Sequence, residues 1–236
     1  MNVGIVVAMA TEVRALRRVL PVPEQVVDIA PGVRAVLCGI GPRAAGNAAH
    51  LLLQSGVHAL AVFGVAGGLD PRLGSGALMI PAELIDDAGK RYSADPAWRA
   101  RLMQAVAGRC RGEPLLTVRV PLLTPRAKAA ARERHGAAAV DMEGAAVALI
   151  AGQHGVPFLM VRAVADTALH VIPPALAAAV DRFGRPRPRA LIGALLRRPR
   201  LLLSLPGLAR SMSQSMRALR LVVELAGPDL AWARPA

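Results

Sequence analysis

Aromatic side chains make up only 3 % of the 236 residues: three Phe, two Trp and one Tyr. The core must then be built from Ala, Val, Leu and Ile, and a nucleic-acid surface that stacks bases on rings is not expected. Cysteine is as scarce. Cys38 and Cys110 have neither CxxC nor metal-ligand spacing and make no disulfide framework, which fits a reducing, cytoplasmic setting. There is no Walker GxxxxGK[ST] and no HExxH, and the five histidines are scattered, so metal and phosphate-loop chemistry have no support and no metal is expected. A Ser-His-Asp set cannot be placed. The chain enters an apolar strand at Val3 without a basic n-region or a small-residue cleavage site, so no secretory signal is read. The longest uncharged run, Ala44 to Leu69, contains Asn47, His50, Gln54, Ser55 and His58. It reads as helix, turn and strand, not as a membrane span.

Acidic residues are few as well, 16 against 29 basic ones, for a net charge of +13. The imbalance is local. Residues 182–236 hold 11 Arg against Glu224 and Asp229, net +9, leaving net +4 for the rest. Such a tail can meet nucleic acid, an anionic membrane surface or solvent. Within it, "GLARSMSQSMRALRLVVEL" sets Leu208, Met212, Met216, Leu219 and Val223 on one helical stripe, with Arg210, Gln214, Arg217 and Glu224 opposite. Two readings stay open for this cationic amphipathic helix: packing on the core, or lying in a membrane interface.

Ahead of the tail, apolar runs of strand length alternate with helical periodicity. "VGIVVA" precedes "TEVRALRRVL", with apolar residues at 13, 16, 19 and 20; "VRAVLCGIG" precedes "RAAGNAAHLLLQSG". "HALAVFGVAGG", "GALMIPAELI", a polar turn "DDAGKR" and a helical "DPAWRARLMQAVAG" follow. Then come a strand near 115–120, a helix from Pro125 to about His135, a strand near 137–141, a helix from about Glu143 and the strand "VPFLMVRAVAD". This alternation predicts an α/β fold, a three-layer α/β/α arrangement round a twisted mixed sheet. The expected division is a catalytic domain over 1–180 and an Arg/Pro-rich, amphipathic helical extension over 181–236.

Few motifs carry chemistry. "GIGPRA" (39–44) satisfies a loose GxGxxA, but the next strand ends "LAVFGVAGG" with no carboxylate for a ribose, so a tight turn is the better reading. "GVAGGLDPRLGSG" permits close approach of backbone to a ligand. The remaining signal is carboxylates after apolar strands: Glu12, Glu143 and Asp166. Any one could be a helix-terminal charge, with Thr11, Asp141 or Asp166 as caps. Three on one sheet edge, where α/β folds gather their sites, point to function.

At these residues the chain resembles the superfamily of purine nucleoside phosphorylases and 5'-methylthioadenosine/S-adenosylhomocysteine nucleosidases. "GIVVAMATEV" resembles the nucleosidase opening with its Met-x-x-Glu, "GVAGGLDPRLGSGALMIP" the Gly-rich strand and turn, and "VDMEGAAVA" and "VRAVAD" the Met-Glu and Arg-Ala-x-x-Asp elements. "DPAWRARL", "LLTPRAKAA" and the tail from "PPALAAAV" onward resemble the hopanoid-associated phosphorylases within it. That resemblance implies N-glycosidic cleavage of adenosylhopane to ribosylhopane, or its phosphate, and adenine in hopanoid biosynthesis. The alternatives are a soluble methylthioadenosine or adenosylhomocysteine nucleosidase and a non-catalytic nucleoside-binding scaffold.

By the same resemblance Asp166 is the general acid at the base, and Glu12 activates water. Glu143 accepts hydrogen bonds from ribose hydroxyls, Met142 lies beneath the sugar, and Ala66 and Gly67 let the backbone approach the ligand. Asp141 is expected to be structural. The family's usual Ser before the catalytic Asp and Asp three residues after it are here Ala165 and Leu169. Its adenine-stacking aromatic has no counterpart in "VRVPLLT", where Val120 and Leu122 are the substitutes. Phosphorylases place an Arg before the Gly-rich turn; this chain has Phe63, leaving Arg43 at a helix N-terminus as the candidate phosphate ligand. Hydrolysis is favoured, with no cofactor and inorganic phosphate as the co-substrate in the phosphorolytic case. The implied partners are a lipid-linked adenine nucleoside, an anionic membrane touched peripherally at its inner face, and further copies of the chain in a homo-oligomer.

Overall fold

A computed structural model of the protein describes residues 2–16 and 22–232. The predicted helix positions 19 and 20 lie outside the described residues.

Three parallel strands form the centre: β1 (Val3–Val7) pairs with β3 (Val33–Leu37) on one side and with β4 (Ala59–Gly68) on the other. Their residues alternate between two cores. Val3, Ile5 and Val7 face one and Val6 the other; in β4, Ala59, Ala61 and Phe63 oppose Leu60 and Val62. This period of two is why runs that read as continuously apolar are strands buried on both faces. β4 also pairs in parallel with β10 (Phe158–Asp166) and, at its far end, antiparallel with β9 (Ala139–Asp141).

Two further strands, β2 (Val27–Ala30) and β5 (Leu78–Met79), pair antiparallel with β3 and β10. The sheet continues from β9 through β8 (Leu115–Thr117) and β6 (Glu83–Asp86) to β7 (Arg91–Ser93).

Helices cover both faces. α1 (Ala10–Leu16), α3 (Pro96–Ala105) and α8 (Leu205–Ala226) supply Val13, Trp98, Leu102, Met216, Leu219 and Val222 to the first core. α2 (Pro42–Gln54) and α5 (Gly144–Gln153) supply Ala48, Leu52, Val147 and Ile150 to the second. α4 (Pro125–His135) packs Ala131 on a smaller cluster round Leu116 and Val140. The Pro at the start of α3 and α4 follows a capping side chain: Asp95 accepts from the Trp98 N–H at 2.7 Å and Thr124 from that of Ala127 at 3.2 Å. The architecture is the expected three-layer mixed α/β one.

Details differ from the sequence reading. The segment 76–85 is two strands, β5 and β6, separated by residues 80–82, and the strand near 115–120 ends at Thr117. β2 and β7 were not foreseen; both are short and largely exposed or half-buried, so neither carries an apolar run.

The extension divides in two. α8 buries Ser211, Ser215, Met216, Leu219 and Val222, a face turned from the predicted stripe by the two serines. The Ser215 hydroxyl donates to the Val164 carbonyl at 2.6 Å, seating the helix on β10. The Trp98 indole N–H donates to the Leu230 carbonyl at 2.7 Å, and its ring packs on Trp232. For α8 the interfacial reading is therefore corrected: its apolar face is core. Before it, α6 (Pro174–Ala177) is followed by α7 (Pro188–Arg197) and a 3-10 turn, Pro199–Leu203, neither of which buries a residue. Among the described residues no helix is long and apolar enough to cross a membrane.

Candidate active site

The carboxyl ends of β1, β4 and β10 and the chain after β3 and β9 converge on one cavity of about 170 Å³. Lining it are Met9, Glu12, Val65, Ala66, Gly67, Asp141, Met142, Glu143 and Asp166, with an apolar rim of Ile40, Val118, Pro121, Leu122 and Ile172. Seven of the expected site residues thus meet: Glu12, Ala66, Gly67, Leu122, Met142, Glu143 and Asp166. Val120 does not line the cavity and is 70 % exposed, because the strand has ended at Thr117 and the chain turns its neighbours Val118 and Pro121 inward instead. Arg43 is exposed on the first turn of α2 and does not line the cavity either.

One end of the cavity is built round Arg162, which is buried in β10. Its Nη2 donates to Asp141 Oδ2 and, at 3.0 Å, to Glu143 Oε2. Asp141 also accepts from the Thr117 hydroxyl at 2.7 Å and from the Gly144 N–H at 2.9 Å, so it ties three elements at the start of α5. The other oxygen of Glu143 accepts from the Gly41 N–H at 2.9 Å. Gly41 holds φ at +110°, a conformation that favours glycine, and caps the N-terminus of α2. The positive end of that helix therefore meets the protein's own carboxylate.

Glu12 completes this end, with its two oxygens accepting from the Met9 N–H at 2.8 Å and the Val65 N–H at 2.7 Å. Space for it comes from Gly64, the register partner of Arg162: a Cβ there would lie 2.3 Å from Glu12 Oε1 and 2.6 Å from Arg162 Nη1. Burial raises the Glu12 pKa from 4.5 to about 7, against the lowering effect of Arg162 and the two backbone N–H groups. Glu143 is raised too, first by burial, with Arg162 opposing and Asp141 adding to the rise. Arg162 is raised above its ordinary value: burial works against the charge, and Asp141, Glu143 and Glu12 outweigh it.

At the other end stands Asp166, re-aimed by a bulge in β10 that breaks the register between Val164 and Asp166. It forms an ion pair with Lys128, whose ammonium also donates to the carbonyls of Thr167 at 2.7 Å and His170 at 3.4 Å. All three ammonium protons are thereby engaged. The Lys128 side chain is 0 % exposed and that of Asp166 16 %. Sequence reasoning missed Lys128. In "PRAKAAARERH" it stands among Arg126, Arg132 and Arg134, and nothing in its spacing sets apart the one cation that points inward. Arg162 entered only as part of a motif; its sign was a cation inside the apolar strand "FLMVRAVAD", a place where a charge needs partners.

Among the described residues no three His, Cys, Asp or Glu are grouped to hold a metal ion. A larger cavity, about 660 Å³, lies beside α4 and shares none of these carboxylates.

A strand-end pocket lined by buried carboxylates is where an α/β fold of this kind binds a small ligand. The Phosphorylase superfamily matches residues 2–185, and the chain belongs to it. No curated protein matches. Among solved structures the fold is similar to 5'-methylthioadenosine/S-adenosylhomocysteine nucleosidase of Neisseria meningitidis, solved with methylthio-immucillin-A: TM-score 0.69 and 19 % identity over 94 % of this chain and 98 % of that one. It is also similar to futalosine hydrolase of Helicobacter pylori (TM-score 0.67, 17 % identity, 95 % and 97 % covered). The nucleosidase of the latter organism with a butylthio-DADMe-Immucillin-A bound gives 0.67, 17 %, 95 % and 98 %.

Proposed function

We propose that the protein cleaves the N-glycosidic bond of an adenine nucleoside by hydrolysis, with adenosylhopane as substrate and ribosylhopane and adenine as products. The observation that carries the reaction is the meeting of Glu12, Glu143 and Asp166 in one strand-end cavity. In this reading Glu12 takes a proton from water, whose oxygen forms a bond to C1' as the C1'–N9 bond breaks. The bonding electrons leave with the purine; Asp166 takes up a proton from solvent as the substrate enters and delivers it at N7, and its ion pair with Lys128 is re-formed as the base departs. Glu143 accepts from the ribose hydroxyls, and its charge, with that of Glu12, stabilises the oxocarbenium character of the sugar. A pKa of about 7 suits Glu12 to accept a proton near neutral pH.

Hydrolysis is favoured over phosphorolysis on a specific ground. The N-terminus of α2, the expected anion site, has its Gly41 N–H engaged by Glu143, and Arg43 stands outside the cavity. Among the described residues the site offers a phosphate no free cation near the sugar.

The cavity is smaller than the roughly 300–1,000 Å³ of sites that enclose a whole drug-sized ligand. A nucleoside fills it, and a bulky 5' substituent runs out over the apolar rim. That supports a lipid-borne substrate and, with the basic extension, peripheral contact with an anionic membrane at its cytoplasmic face. Methylthioadenosine is the second reading, favoured by the likeness to nucleosidases. Purified protein incubated with adenosylhopane or methylthioadenosine, each with and without phosphate, decides between them. Adenine release from adenosylhopane without phosphate is expected; release from methylthioadenosine alone would replace the substrate, and a ribose 1-phosphate product would replace the acceptor.

A further inference from the structure

From Arg182 to Val223 the chain carries ten Arg and no acidic residue. Its packed part, α8, is accounted for by the core. What precedes α8 is not: Ile192 and Leu196, four apart on α7, are exposed, Leu196 to 79 %, and in the 3-10 turn Leu202 and Leu203 are exposed too, Leu203 to 83 %. Arg187, Arg189, Arg197, Arg198 and Arg200 surround them, all exposed. Exposed leucines interleaved with exposed arginines are costly in water and complementary to a layer with anionic headgroups above hydrocarbon.

The position of this arm relative to the cavity is the second observation. It begins on one rim: the Arg182 carbonyl accepts from the Ile40 N–H at 2.7 Å, the Phe183 carbonyl from that of Ala10 at 3.0 Å, and Gly184 lies against Met9. It returns on the other rim, where Arg198 to Leu201 and Ser204 share a surface hollow with Pro173. Pro173 follows Ile172, a rim residue, and the same loop exposes Leu169, to 72 %, and Val171. The apolar, cationic arm and the apolar mouth are thus neighbours.

We propose that α7, the 3-10 turn and the loop bearing Leu169 and Val171 form one docking surface for an anionic lipid membrane, which sets the cavity mouth at the bilayer. The proposal deepens the lipid-substrate reading above and rests on it for its purpose, not for its test. Docking lets the nucleoside head of an amphiphile enter the cavity while its hydrocarbon remains in the membrane, so the lipid portion need never cross water.

The test is co-sedimentation of the full chain with vesicles of phosphatidylcholine alone or mixed with phosphatidylglycerol, at low and high salt. Binding to the mixed vesicles at low salt is expected, weakened by salt. Leu196→Glu with Leu203→Glu should reduce it about tenfold or more by removing the inserted groups. Changing Arg197, Arg198 and Arg200 to Gln should reduce it on the order of a hundredfold and flatten its salt dependence. Both variants should keep the parent's circular dichroism spectrum and cooperative thermal transition, which shows that they fold.

No sedimentation with mixed vesicles overturns the proposal. So does binding that the leucine variant leaves unchanged, which marks a surface for polyanions, and so does loss of a dimer in that variant, which marks a contact between copies. Vesicle binding by a protein that releases no adenine from any nucleoside supports the docking surface and overturns the reaction.

Discussion

The two ends of the cavity handle charge in opposite ways. Round Arg162, three buried carboxylates, Glu12, Asp141 and Glu143, share one guanidinium. Round Asp166, one carboxylate has one ammonium to itself. In the proposed reaction the first end carries an excess of negative charge where the sugar cation develops, and the second is balanced where the base departs. An excess of buried like charge is destabilising by itself, so the sugar end is held by what surrounds it: backbone amides on Glu12, the α2 terminus on Glu143, and Thr117 and Gly144 on Asp141.

The largest effect is expected from breaking the balanced end. Asp166→Asn removes the proton donor, and adenine release should fall on the order of a thousandfold or more, near the upper range for general acid catalysis. Unchanged turnover would remove Asp166 from the chemistry and leave Lys128 a purely structural partner. Replacing that partner sharpens the comparison. Lys128→Met keeps the stem of the side chain and removes the charge, and adenine release should drop about tenfold to a hundredfold, as for loss of one hydrogen bond to a charged group. A riboside with p-nitrophenolate as leaving group needs no proton at departure, so its hydrolysis should be spared in the same variant. An equal loss on both substrates would mean that Lys128 only holds the Thr167–His170 loop together.

The sugar end was far more legible in the sequence than the base end. Glu12 and Glu143 each follow an apolar strand, where a carboxylate has no packing reason to stand, and they and Met142 carry motif neighbours. At the base end Asp166 was visible for the same reason. Its partner lies 38 residues away on a helix whose periodicity is obscured by Ala and Arg, and its aim depends on a bulge at Ala165 that no side chain announces. Val120 was misplaced because a strand was extended past Thr117; the period of two continues in "TVRV", but the ladder there ends with the bond from the Val118 N–H to the Asp141 carbonyl. The extension was read as one basic amphipathic unit. Ser211 and Ser215 turned α8 inward, since small side chains let a helix lie close on a strand, and left the exposed apolar groups to α7 and the turn before it.

The excess charge at the sugar end has a smaller but more diagnostic signature in pH. Glu12 titrates near 7 in the folded protein and near 4.5 when unfolded. Between those values the native state keeps a proton that the unfolded chain has released, so stability falls as pH rises through this window and levels off above about 7. The difference is worth about 3 kcal/mol, and Glu143, raised by the same burial, adds with the same sign. Catalysis runs the other way: kcat/KM should rise with pH through about 7, as Glu12 becomes able to accept a proton. Glu12→Gln should abolish most of the activity. It leaves one of the Met9 and Val65 amides without its acceptor, at a cost of about 1–3 kcal/mol at every pH. Absolute stability is therefore a poor readout, and the slope is a good one. Urea midpoints followed from about pH 5 to about pH 8 should decline more steeply in the parent than in Glu12→Gln. Parallel curves would mean that Glu12 is ionised throughout, and that Arg162 and the backbone amides offset its burial in full.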